Sequence, residues 1–139
     1  MSIIRAHLFL TVLPLLAALL IYVLFRARPP EPLNHISSLF ISLPISYPKS
    51  LSWFVFCTPD GLWAFGFTSF LLLSSRNDTR VTRAIYIILG FACMLILEIY
   101  QGRWFPGTFD PLDLVAIFIG FVLSILIFQL TIKTTTHEK

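Results

Sequence analysis

Charge is what this sequence has least of. Lys and Arg number ten and Asp and Glu seven, together 12% of 139 residues, against 57% hydrophobic. Mean hydropathy is +0.86. Soluble domains carry roughly 25% charged residues, and so few cannot cover the surface of a water-soluble globule of this length. A soluble enzyme, a nucleic-acid-binding domain and a disordered chain are excluded on that ground. Cys57 and Cys93 are too few for a secreted disulfide scaffold, and they read as small apolar residues in packed helices. His7, His35 and His137 are scattered without ligand spacing, so no metal site is expected. The six glycines form no phosphate-binding loop, and Ser and His form no nucleophile arrangement. No cofactor is expected. The net charge of +3 suits basic residues that flank membrane spans.

What is present is a set of long apolar runs. Four of them are predicted to be membrane-spanning helices, at about 6–25, 59–75, 84–101 and 112–132, in a single membrane domain covering 1–139. A helix of ~20 residues at ~1.5 Å each matches the ~30 Å hydrocarbon layer. Open sheets cannot span lipid, because their edge amides would be unsatisfied. The fold class predicted is therefore all-α, a four-helix transmembrane bundle. The first run is too long for a cleaved signal peptide and is read as a retained helix, with a kink expected at Pro14. In the second, Thr58 reads as the cap, Pro59 as the first helical residue and Asp60 as a carboxylate at the positive helix end.

The connection over 26–58 is not ordinary loop. Ile36, Leu39, Phe40 and Leu43 follow helical spacing, with serines mostly elsewhere on the wheel. With Tyr47 and Trp53, this segment is expected to lie in the interface or cap the bundle. The short link Arg76–Arg83 carries three arginines, which places it in the cytoplasm by the positive-inside rule. Both termini are then cytoplasmic.

That topology gathers polar residues at the opposite, outer end. Asp60 begins the second span, Glu98 and Gln101 end the third, Arg103 lies in the next link, and Asp110 and Asp113 open the fourth. These six are the candidate ligand-pocket residues. No residue is assigned a catalytic role. Glu98 and Gln101, at i and i+3, share a helix face. Glu98 lies about one turn inside the boundary, where a charge must pair, be protonated or face a wet cavity. Arg103 is its expected partner. Gly61, Ala64 and Thr68 on the second span, and Ala116, Gly120 and Ser124 on the fourth, form small-residue stripes expected to let helices pack closely.

The run Glu98-Ile99-Tyr100-Gln101-Gly102-Arg103, then Phe109-Asp110-Pro111-Leu112-Asp113-Leu114, then Gly120, resembles the signature of the VanZ-like family of small bacterial membrane proteins. Pro59-Asp60-Gly61-Leu62-Trp63 occupies the place of that family's acidic motif in the second helix. The resemblance implies a multi-pass protein of the bacterial inner membrane, in a cell-envelope setting linked to glycopeptide (teicoplanin) resistance. It implies no particular reaction.

The first functional reading is a non-enzymatic envelope protein whose outer polar pocket engages a lipid-linked or amphipathic ligand. Membrane lipid is the expected partner, with a homo-oligomer or larger membrane complex as a further possibility and no nucleic acid. One alternative is an enzyme acting on a lipid-linked envelope precursor, with Glu98 or Asp113 as general base. The other is a proton-coupled transport subunit built on the intramembrane carboxylate.

Overall fold

A computed structural model describes residues 3–25, 48, 52–101 and 109–136; the side chains of Val23 and of 132–136 are not described. Four helices cross the molecule. We label as α1 the stretch formed by Ile3–His7, a π-helical turn Leu8–Val12 and Leu13–Phe25. Then come α2 (Ser52–Ser74), α3 (Arg80–Ile99) and α4 (Pro111–Thr136). Each contains a stretch long and apolar enough to cross a membrane. The fold is an all-α four-helix membrane bundle. The interfacial helix expected around Ile36–Leu43 lies outside the described residues.

The second helix starts earlier than expected. Its predicted beginning at Pro59 is incorrect: α2 opens at Ser52, and Pro59 lies inside it, fully buried. Thr58 is therefore no cap, and Asp60 is no residue of the first turn. The reason is length. A 17-residue run would reach only ~25 Å, short of the ~30 Å layer. The apolar residues Trp53, Phe54, Val55 and Phe56 extend the helix to 23 residues. A proline is tolerated there because neighbouring helices support the interrupted ladder.

In α1, the distortion expected at Pro14 takes the form of the π-helical turn Leu8–Val12 directly ahead of it. That widened turn contains Leu10, whose carbonyl a proline four residues on would otherwise crowd.

The contacts give an up-down-up-down arrangement with α2 at its centre. Tyr22 meets Asp60, Leu15 meets Gly66 and His7 meets Phe70, so α1 runs antiparallel to α2. Gly61 meets Ala116, Ser69 meets Ser124, and Leu72 joins Phe128 in one apolar cluster, so α2 and α4 run parallel. Gly90 of α3 lies over Leu71 and Phe67. Phe91 stacks on Phe121 of α4, with ring centroids 4.2 Å apart.

The predicted small-residue stripes form the α2–α4 contact. A Cβ on Gly120 would drive into the Gly61 carbonyl oxygen and come within 3.1 Å of the Phe65 nitrogen. Backbones touch there, and glycine is the residue that permits it. One turn further on, the buried Ser69 and Ser124 hydroxyls hydrogen-bond at 2.8 Å. Cys57 is buried, as expected of a packed residue, but Cys93 is exposed on the outside of α3. At Cys93 the expectation fails, because α3 touches its neighbours along one narrow face and leaves the rest to lipid.

The arginine-rich link is shorter than expected, because α3 begins at Arg80. Thr79 caps it, its hydroxyl accepting from the Thr82 amide at 3.2 Å. Arg83 then reaches back. Its Nε donates to the Ser75 carbonyl at 3.1 Å, and its Nη2 donates to the Arg76 and Asp78 carbonyls at 2.7 and 3.2 Å. Its guanidinium also lies 5.7 Å from the centre of the Phe128 ring. This fork ties the end of α2 to the start of α3. Arg83→Ala is expected to destabilise the bundle by about 1–2 kcal/mol. Hydrogen exchange at 75–79 should quicken. Arg83→Lys should restore less than half, since an ammonium cannot serve several carbonyls in one plane.

Candidate functional site

The antiparallel order brings the C-terminal ends of α1 and α3 and the N-terminal ends of α2 and α4 to one end of the bundle. That end holds five of the six predicted site residues. Arg103 lies outside the described residues, so its pairing with Glu98 is not described.

Asp60 is positioned by two helices. It stands more than two turns inside α2, so the helix terminus does not stabilise it. Instead the Tyr22 hydroxyl of α1 donates to its Oδ1 at 3.1 Å. Sequence reasoning missed Tyr22. The only available signal was its place in the last turn of the first span, opposite the acidic end of the second.

Asp113 lies in the first turn of α4 and is only 7% exposed. Cys57 of α2 is buried close to it, and the charges of Asp110 and Asp60 also act on that sulfur. Cys57 thus marks the point around which three aspartates from two helices gather. Its place beside the aspartates was not visible in the sequence, where Cys57 reads only as a small packed apolar residue. Inside the helix, Cys57, Asp60 and Gly61 lie at i, i+3 and i+4, on one face toward α4.

Asp110 is the N-terminal cap of α4. Its Oδ1 accepts from the Leu112 amide at 2.9 Å, and its carbonyl accepts from the Asp113 amide at 3.0 Å. Pro111 fills the first helical position, where a missing N–H loses nothing. Asp110 therefore spends its side chain on building the helix that presents Asp113.

Glu98 closes α3 and is 3% exposed. Gln101, just beyond the helix, turns back so that its Nε2 donates to Glu98 Oε2 at 2.6 Å. The i, i+3 face predicted for this pair is present as a direct bond.

Asp60 accepts from a phenol and Glu98 from an amide, both neutral groups. Carboxylates held this way add hydrogen-bond acceptors and negative charge to an otherwise apolar bundle. That chemistry suits ligands rich in N–H or O–H donors. Among the described residues, no group of three His, Cys, Asp or Glu side chains is arranged to hold a metal ion. The helix-packing candidates Gly61, Ala64 and Gly120 sit directly beneath the aspartates, and Ala64 is buried. The rigid α2–α4 seam is thus the floor of the site. No family model matches this chain, and no curated protein or solved structure matches it either.

Proposed function

We propose that this chain is a VanZ-like protein of the bacterial cytoplasmic membrane, with both termini in the cytoplasm. Its acidic end forms an outward-facing pocket for a lipid-linked or amphipathic ligand of the cell envelope. The observation that carries this reading is the placement of Asp60, Asp113 and Glu98, from three helices, at one end of an apolar bundle. Two of them are almost fully buried. An ionisable group within a membrane helix is expensive to keep, and its retention points to a functional role. The order of acidic motifs along the chain supports the family reading, and the cluster of Arg76, Arg80 and Arg83 at the opposite end supports the orientation.

The test compares Glu98→Gln and Asp113→Asn in cells that express the chain and show altered teicoplanin tolerance. Both substitutions keep shape and remove charge. Each variant is expected to reach the membrane at wild-type level and lose most of the tolerance. If both keep full tolerance, or if the wild-type chain confers none, the reading fails. A cysteine introduced at the exposed Asn77 should react from the cytoplasmic side and one at Gly107 from the outside, and the reverse would overturn the orientation.

A further inference from the structure

The opposite end of the bundle carries a second polar–apolar feature that the acidic pocket does not explain. A cleft of about 240 Å³ opens between α2 and α3, lined by Leu71, Ser74, Ser75, Asp78 and Tyr86. Its wall is mostly hydrocarbon, and its mouth lies at the turn joining the two helices. Arg76 directly follows Ser75, and Arg80 lies two residues beyond Asp78; both are exposed. Arg83 is turned onto backbone carbonyls and holds the turn in place. Asp78 is the one acidic residue here, set against three arginines. Tyr86 is half exposed, and a tyrosine at this depth suits the headgroup layer.

We infer that this cleft is a binding site for one anionic phospholipid of the adjoining leaflet. An acyl chain would lie along Leu71 and Tyr86, with the phosphate at Arg76 and Arg80. Charge complementarity decides the occupant. A zwitterionic lipid would fill the apolar wall equally well, but only a net negative headgroup gains from the two exposed arginines that adjoin the lining residues in the chain and outnumber Asp78. Lys or Arg near a charged membrane surface contributes about a fivefold preference each. The site requires only that the helices lie across a bilayer, and it stands whether or not the acidic end binds a ligand.

The test uses the full-length chain in lipid nanodiscs with spin-labelled phosphatidylglycerol or phosphatidylcholine, read by electron paramagnetic resonance. The wild type should retain immobilised phosphatidylglycerol about fivefold or more over phosphatidylcholine. Arg76→Gln with Arg80→Gln should bring that ratio close to one. Ser74→Trp fills the cleft without altering charge and should weaken retention of both lipids. Equal retention of the two lipids by the wild type overturns the site. So does a preference that Ser74→Trp leaves untouched, which would mean diffuse surface attraction alone. If a variant fails to fold, competition in the wild type decides. Unlabelled phosphatidylglycerol should displace the label from a saturable site of about one lipid per chain, and displacement without saturation overturns the proposal.

Discussion

Gly120→Ala is expected to part the two central helices and to lower the stability of the bundle by about 2–3 kcal/mol. The added methyl has nowhere to go. It would meet the Gly61 carbonyl oxygen and the Phe65 nitrogen, at 3.1 Å from the latter, and both are backbone atoms that no rotamer change can move. The helices must slide or separate. Either movement would strain the 2.8 Å bond between Ser69 and Ser124. Gly61→Ala should be milder, because its Cβ would lie 3.1 Å from the Ala116 carbonyl oxygen and 3.6 Å from the Ala116 methyl. Thermal unfolding in detergent should rank the wild type above Gly61→Ala and that variant above Gly120→Ala. Equal midpoints for all three would mean that α2 and α4 do not touch at this seam. The effect should also reach the acidic end. The seam sets the spacing between Cys57 of α2 and Asp113 of α4, so their contact should loosen along with the core.

Glu98→Lys is expected to cut the amount of protein in the membrane to below a tenth. Glu98 is 3% exposed and accepts from the Gln101 amide at 2.6 Å. A lysine offers that amide no acceptor and places an ammonium against a donor. A lysine charge within a membrane helix costs about 3 kcal/mol or more. Glu98→Gln keeps an acceptor oxygen and should accumulate within twofold of the wild type. The two variants, read together on an immunoblot of the membrane fraction, separate charge from shape. If Glu98→Lys accumulates normally, the carboxylate stands in water and the buried acidic end is not a pocket.

The four spans were legible before any coordinates, because hydropathy is a sum over neighbouring residues and a helix is a local structure. The opening of α4 was legible to within a residue for the same reason: the span was expected from 112, and the helix begins at Pro111. The small-residue stripes were legible as faces, since helical periodicity alone assigns Gly61 and Ala64 to one side and Gly120 and Ser124 to another. The start of α2 was misjudged by local evidence. Thr58-Pro59-Asp60 is a well-formed start signal, and only the need to cross the full bilayer outweighs it.

Contacts between helices are another matter. That Tyr22 reaches Asp60, that Cys57 meets Asp113, and that Arg83 folds back onto three carbonyls while lying over Phe128 all depend on rotation and register between helices. Composition and spacing leave both open. The amino-acid sequence by itself determined that four apolar helices form, that four acidic residues collect at one end and that the link carrying Arg76, Arg80 and Arg83 lies at the other, because each of those follows from chain order and the energy of leaving water. Tertiary structure alone decided which donor each carboxylate meets and how closely α2 and α4 approach, because those distances are set by backbone packing between residues tens of positions apart.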